Sequence, residues 1–194
     1  MRNYRRKRRA ILRVRNLWYR SHSSSRCFFT TDSQRENGDT SSEIFSIAGD
    51  NGLLLGDILK LGSFDFIDPR VVTYFQGITV SQRGRFTANV KLLGHDYEDF
   101  YDIRRKVVKE GRGATLIEMV YLAHLYPGLQ LKVPILGTGT TRKSRSGHEY
   151  IPLLYRGCDD KRGLGLFDIS PGTKADTPFN KELWHTLIHF AVVS

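Results

Sequence analysis

The fold is decided by ATLIEMVYLAHLYPGLQLKVPILGTG, residues 114–139. Its first half, from Ala114 to Leu125, spaces apolar residues one helical turn apart and is stopped by Pro127-Gly128, which predicts a helix. Its second half, from Leu129 to Leu136, is a nearly continuous apolar run, which predicts a strand in a sheet that is covered on both faces. A helix followed by such a strand indicates an α/β protein.

On the N-terminal side of this stretch, the sequence predicts a β-hairpin. Val71–Phe75 and Ile78–Val80 are rich in β-branched and aromatic residues, and they flank Gly77, where a bend or bulge can form. A turn at residues 82–85 then leads into Phe86–Leu93, which places alternate apolar residues on one face.

The remaining predicted elements complete a single domain. They are helices over 97–109, 148–156 and 176–185, strands over 164–169 and 187–193, a basic loop over 142–147, and a short extended lead-in with a turn over 44–62. The resulting order, β-β-α-β-α-β-α-β, predicts a three-layer α/β domain with a mixed β-sheet and helices on its faces. We place this domain at residues 70–194, after a linker and irregular lead-in over 27–69.

All of the excess positive charge lies in residues 1–26. This segment has 10 Lys or Arg and no acidic residue, whereas the other residues contain 20 basic and 20 acidic groups, so the net charge of +10 belongs to the segment. Arg- and Ser-rich, acid-free N-termini with apolar residues at helical spacing are typical of mitochondrial targeting peptides. The alternatives are a retained arginine-rich arm that folds on RNA and a solvated charged tail.

Composition sets further limits. No apolar run approaches the roughly 20 residues that cross a bilayer, so we expect no transmembrane segment. Cys27 and Cys158 have no zinc-ligand spacing and build no disulfide framework, and we expect both to be plain thiols in a reducing compartment. The sequence predicts no cofactor, no metal and no catalytic residue.

The sharpest local feature is Gly137-Thr138-Gly139, because a glycine-rich turn after a buried strand lets backbone N–H groups approach a phosphate. However, the dinucleotide fingerprint needs a third glycine where Arg142 stands, and the P-loop pattern is absent. A tight exit from the strand with positive φ explains the two glycines without a ligand. Arg142, Lys143 and Arg145 form either an anion-binding patch beside this turn or a solvated loop.

Other clusters carry weaker signals. His185 and His189 are four residues apart, but the predicted helix ends between them, so they are a weak candidate for a metal site. An acidic cluster over 96–102 is typical of a solvated helix face. Phe179 and Trp184 are core residues in the first interpretation and a protein interface in the second. The candidate interface or anion-contact residues are therefore Gly137, Thr138, Gly139, Arg142, Lys143, Arg145, Phe179 and Trp184.

Several segments resemble a known family. The opening hairpin of this family is similar to Ile78–Val80, Phe86 and Val90–Leu93, and its most distinctive strand and Gly-Thr-Gly turn are similar to Val133–Gly139. Its second strand is similar to Leu166–Asp168, and its final strand is similar to Phe190–Val193. The start of its last helix is similar to Ala175, Thr177 and Phe179-Asn180. The family is the small α/β domain that serves in mitochondria as the third assembly factor of respiratory complex I, with stand-alone prokaryotic relatives. The resemblance implies a protein without catalytic residues that binds a partner assembly factor and subunits of the matrix arm.

We therefore expect a non-catalytic, protein-binding factor of respiratory complex I, either an assembly factor or a retained accessory subunit. It would lie in the mitochondrial matrix and reach the inner membrane through its partner complex. The alternative is an accessory protein of the mitochondrial ribosome, in which the Arg-rich segment and residues 142–145 hold rRNA phosphates. A nucleotide-dependent enzyme is a third hypothesis, which the incomplete glycine motif disfavours.

Overall fold

The structure is a computed structural model, and it describes residues 43–76, 84–95, 100–170 and 188–194. Its strands are β1 Ile44–Asp50, β2 Phe66–Ile67, β3 Arg85–His95, β4 Arg112–Gly113, β5 Ile135–Gly137, β6 Arg142–Lys143, β7 Glu149–Arg156, β8 Arg162–Asp168 and β9 Ile188–Val193. Its helices are α1 Leu55–Leu61, α2 Pro69–Phe75, α3 Phe100–Glu110, α4 Leu116–Leu125 and α5 Leu129–Lys132, with a 3₁₀ turn at Cys158–Asp160.

The strands form one mixed sheet. Their order is β1-β3-β9-β5-β7-β8-β2, with β4 beside β9 and β6 beside β7. The pairs β5–β9 and β2–β8 are parallel, and the others are antiparallel. Because β9, near the end of the chain, lies between β3 and β5, the centre of the sheet joins distant parts of the sequence.

Helices cover both faces of this sheet. On the first face, α1, α2 and α4 pack on a core that includes Ile58, Phe75 and Met119. On the second face, α3 contributes Ile103 and Val107 to a separate core. The predicted α/β class, with a mixed sheet and helices on its faces, is therefore confirmed. The predicted element order is wrong, because several segments take a different secondary structure.

Residues 44–69 are not an irregular lead-in. The β1 strand pairs with β3 over its whole length, and Ile47 is buried in the first core. Helix α1 adds Ile58 and Leu59 to the same core. These residues therefore belong to the same domain as residues 70–194, where the sequence predicts that the domain begins.

Val71–Phe75 is a helix rather than the first strand of a hairpin. The Asp68 carboxylate accepts a hydrogen bond of 2.8 Å from the Arg70 backbone N–H, and Pro69 occupies the first helical position. This strong start outweighs the β-propensity of the segment, and the helical period buries Val71 and Phe75 together. The strand predicted at 86–93 is confirmed as β3, but its partners are β1 and β9. Ile78–Val80 lies outside the described residues.

Two further predictions need correction. The apolar run from Leu129 begins with a single helical turn, α5, and only Ile135–Gly137 is a strand. The helical turn buries the Gln130 side chain, whose amide donates hydrogen bonds to the Tyr155 and Gly163 carbonyls at 3.0 and 3.1 Å. The helix predicted over 148–156 is strand β7, which pairs with β5 and β8. Pro152 explains this preference, since a proline would interrupt the hydrogen bonds of a helix at that point.

The other predicted elements of the described residues are confirmed as α3, α4, β8 and β9. The helix predicted over 176–185 lies outside those residues. Among the described helices, none is long and apolar enough to cross a membrane. Cys158 is disulfide-bonded, so the expectation of a free thiol is wrong there, and Cys27 lies outside the described residues.

Candidate functional site

The Gly137-Thr138-Gly139 turn packs against the chain that enters helix α4. The Gly139 N–H donates a hydrogen bond of 3.0 Å to the Ala114 carbonyl. A Cβ on Gly139 would lie 2.8 Å from the Gly113 carbonyl carbon, and a Cβ on Gly137 would lie 2.8 Å from Met119 Cγ. Neither glycine has a positive φ. The glycines therefore allow close backbone packing, and the expectation of positive φ is wrong.

The N-terminus of α4 directs its hydrogen-bond donors to groups within the protein. The Leu116 N–H donates to Thr140 Oγ1 at 3.0 Å, and the Glu118 N–H donates to Thr115 Oγ1 at 3.3 Å. In return, Glu118 Oε2 accepts the Thr115 backbone N–H at 2.8 Å, which completes a capping box. Because these donors are engaged, they are not free to hold a phosphate.

An ion pair between the buried Glu118 carboxylate and the half-exposed Arg112 guanidinium lies at the same helix terminus. Arg112 on β4 donates two hydrogen bonds to the Glu118 carboxylate, one of them 2.8 Å from Nη1 to Oε2. Burial raises the pKa of Glu118, but the hydrogen bonds from Arg112 and Thr115 outweigh this effect and leave the pKa lowered. The hydrogen bond to Glu118 also raises the pKa of Arg112. The glycine turn thus belongs to a corner of the fold whose hydrogen-bonding groups bind one another.

The basic residues after this turn form the start of a hairpin. Arg142 lies opposite Tyr150, and Lys143 lies opposite Glu149, in the antiparallel pairing of β6 and β7. Since successive strand residues face opposite sides, Arg142 and Lys143 face different sides of the hairpin. Lys143 Nζ lies 3.3 Å from Glu149 Oε1. Arg145 is exposed in the connecting turn.

Arg142 shares its side of the hairpin with a group of stacked rings. The Tyr150 ring stacks on Tyr74 of α2 at 5.6 Å between centroids, and the His148 ring stacks on Tyr150 at 6.3 Å. The Arg70 guanidinium carbon lies 5.5 Å from the Tyr150 ring centroid. We call Arg70, Tyr74, Arg142, His148 and Tyr150 the Tyr150 surface.

The charges of the Tyr150 surface differ in how far they are neutralised. Arg70 forms an ion pair of 2.6 Å with Asp68, whose hydrogen bonds raise the pKa of Arg70. Burial, followed by the charge of Asp168, raises the pKa of Tyr150 and keeps its phenol neutral. Arg142 has no acidic partner within the described ranges. It is therefore the cation of this surface that can accept an external anion.

His148 is held in place but is not part of a nucleophilic triad. Its Nδ1 lies 2.9 Å from Asp168 Oδ2. The Ser170 hydroxyl donates to the other Asp168 oxygen at 2.6 Å, and it accepts the Glu149 N–H at 2.7 Å. The serine proton is thus directed to Asp168 rather than to His148, which fixes the carboxylate and, through it, the imidazole ring.

The structure therefore separates the residues that the sequence analysis groups together. Gly137 is buried and Thr138 is half-buried, whereas Gly139 is exposed but packs on the backbone of residues 113 and 114. Lys143 lies on the other side of the hairpin, and Arg142 joins a surface that includes four further residues. Sequence reasoning missed Arg70, Tyr74, His148 and Tyr150. The available signals were the Asp68-Pro69 helix start and the alternation of His148, Tyr150 and Pro152 in a strand.

Several other candidates cannot be placed. Phe179, Trp184 and His185 lie outside the described residues, as do Asp96, Glu98 and Asp99 of the acidic cluster. His189 lies on β9, opposite Gly94 of β3. In the part of the chain that the structure describes, no group of three or more His, Cys, Asp or Glu side chains could hold a metal ion.

No protein-family model, no curated protein and no solved structure matches this chain. The functional proposal therefore depends on the residues of the chain itself.

Proposed function

We propose that this chain is a non-catalytic RNA-binding protein of the mitochondrial matrix, where it serves as an accessory protein of the mitochondrial ribosome. The observation that carries the proposal is the position of Arg142, which has no acidic partner among the described residues and shares a face with the stacked His148 and Tyr150 rings. Basic groups that hold phosphates, beside rings on which bases stack, are the two components of surfaces that bind single-stranded nucleic acids.

The N-terminal segment supports the same proposal. Its 10 basic residues, without any acidic residue, would neutralise phosphates over a long stretch of RNA if the segment is retained after import. The segment would then supply most of the affinity, whereas the Tyr150 surface would recognise the local shape of the RNA. If the segment is instead an address that is removed, the Tyr150 surface and Arg145 remain as the RNA contacts.

The test is the distribution of the endogenous protein in a mitochondrial lysate. On a sucrose gradient we expect it to sediment with one ribosomal subunit, and we expect RNase treatment or high salt to release it, because phosphate contacts weaken steeply with salt. Mass spectrometry of the mature N-terminus shows whether residues 1–26 are retained. Migration with respiratory complex I alone on native gels, without any ribosomal fraction, would contradict the proposal.

A second candidate function is the one that the sequence resemblance suggests, a protein-binding factor of respiratory complex I. The observation in its favour is strand β1, which pairs with β3 alone within the described part of the chain and thus ends the sheet. Ile44 on this strand is 64% exposed and Leu54 after it is 76% exposed. A partner strand could add to this edge, and the apolar side chains would contribute to the contact.

The two candidates differ in the surface that they use. Replacing Ser46 on β1 by proline removes one backbone N–H donor from this strand, whereas Arg142→Ala removes a cation from the Tyr150 surface. Loss of complex I assembly with Ser46→Pro but not with Arg142→Ala would favour the second candidate. Because proline can also weaken β1 itself, the comparison requires that both variants show the wild-type circular dichroism spectrum.

A further inference from the structure

The Tyr150 surface has a ring that is both exposed and held in a fixed orientation. The His148 side chain is 41% exposed, and its Nδ1 is held by Asp168 at 2.9 Å. The His148 and Tyr150 planes differ by 26°, and the Tyr150 and Tyr74 planes differ by 27°, so each ring is stacked on its neighbour at a moderate tilt. A base that stacks on His148 would therefore extend an existing stack without first ordering its platform.

Arg142 lies at a suitable distance from this ring for a phosphate of the same nucleotide. It is directly opposite Tyr150, and His148 lies two residues before Tyr150, immediately before β7 begins, with its ring stacked on that of Tyr150. Diagonal neighbours of this kind are about 7–8 Å apart in an antiparallel pair. A guanidinium at the end of a long side chain can reach a phosphate whose base covers the ring.

We propose that the Tyr150 surface is a site for one unpaired nucleotide of a single-stranded RNA, with its base stacked on His148 and its phosphate bound to Arg142. This inference rests on the proposed RNA-binding function and adds the class of RNA that the site accepts. A base within a duplex is stacked and paired, so it cannot cover His148. The site therefore selects loops, bulges and single strands against helices.

The test uses the full-length protein and a fluorescent single-stranded RNA of about 10 nucleotides, with a duplex of the same length as the comparison. Fluorescence anisotropy is measured at low salt and again at elevated salt, where the contribution of the charged N-terminal segment is weakest. We expect the single strand to bind more tightly than the duplex at elevated salt. Equal affinity for the two would overturn the inference.

Four variants identify the contributions of the ring and of the charge. His148→Ala is expected to lower single-strand affinity about 10-fold, whereas His148→Phe keeps a ring and stays within about three-fold of wild type. Affinity falls as salt rises, and Arg142→Ala is expected to make this fall less steep, reducing the magnitude of the slope of log affinity against log salt by about 0.7. Lys143→Ala is the matched control, because this neighbouring cation faces the other side and is paired with Glu149. An effect of Lys143→Ala equal to that of Arg142→Ala would contradict the site.

Photo-crosslinking separates failure of the site from failure of the proposed function. With 4-thiouridine in the same RNA, we expect crosslinked peptides that contain His148 or Tyr150. If the RNA binds but every crosslink falls in residues 1–26, RNA binding stands and the nucleotide site is wrong. If the protein binds neither RNA, both the site and the proposed function are wrong.

Discussion

Two neighbouring regions of the molecule, each of which contains a candidate anion contact from the sequence, differ in whether the fold already engages their polar groups. The Gly137–Thr140 turn engages its Gly139 N–H and its Thr140 hydroxyl within the protein, against Ala114 and the first turn of α4. The Tyr150 surface, only a few residues further along the chain, leaves Arg142 without an acidic partner in the described residues. The difference teaches that a glycine-rich motif indicates a ligand site only if its donors are not already engaged by the fold.

Among the substitutions that test this comparison, Gly139→Ala should have the largest effect on the free energy of unfolding. The new Cβ would meet the Gly113 carbonyl carbon at 2.8 Å and the Ala114 carbonyl carbon at 2.9 Å, and neither backbone atom can move away without disturbing β4 and α4. We expect the free energy of unfolding to fall by about 3 kcal/mol or more in urea titrations.

The matched control for this substitution is Gly128→Ala. A Cβ on Gly128 meets nothing within 4 Å, and the residue does not have a positive φ. Its unfolding free energy should remain within about 0.5 kcal/mol of wild type. If Gly139→Ala behaved like this control, the turn would not be packed as described, and its glycines would again be candidates for a ligand site.

Replacement of Glu118 by glutamine should have the next largest effect. It removes the charge that pairs with Arg112, so we expect a loss of about 2 kcal/mol in unfolding free energy at neutral pH. The folded state lowers the pKa of Glu118, so its contribution is present above the unfolded value of about 4.3 and is lost as the pH falls through the folded value.

The pH dependence distinguishes loss of the ion pair from general damage to the core. Urea unfolding of wild type and Glu118→Gln at several pH values should show a difference that shrinks below about pH 4. A difference that stays constant down to about pH 2 would mean that the carboxylate charge is not the source of the stabilisation.

The sequence predicted the α/β class because α4, β8 and β9 have clear apolar periods and clear stops. The predicted secondary structure was wrong in short segments whose apolar residues fit both the helical period of 3.6 residues and the strand period of two. Val71–Phe75 favours a strand by composition, but the Asp68-Pro69 start and the burial of Val71 with Phe75 make it a helix. Strand β7 was mistaken for a helix, although Pro152 disfavours one.

The candidate site was predictable only in part, because it depends on tertiary contacts. The sequence identified Arg142 as a possible anion contact. It could not place Tyr74 against Tyr150, since these residues meet only when α2 packs on the first face of the sheet. It also could not indicate that the Gly139 N–H is engaged by Ala114, a residue 25 positions earlier in the chain.

Substitution of Thr140 by valine should have a smaller effect on the same corner. The variant keeps the shape of the side chain but removes the oxygen that accepts the Leu116 N–H at 3.0 Å. We expect a loss of about 1 kcal/mol in unfolding free energy, as for a helix cap that loses its acceptor. Thr141→Val is the control, and an equal loss for Thr141→Val would show that the Leu116 hydrogen bond contributes nothing specific.

Substitution of Arg142 by alanine should have the smallest effect on stability. Its side chain has no ion pair within the described part of the chain, so its loss should change the unfolding free energy by less than about 0.5 kcal/mol. Differential scanning calorimetry of Arg142→Ala and Lys143→Ala gives the measurement and its control. A residue that is dispensable for folding but required for RNA affinity contributes to binding, whereas a loss of about 2 kcal/mol would assign Arg142 to the fold, as for the glycines of the turn.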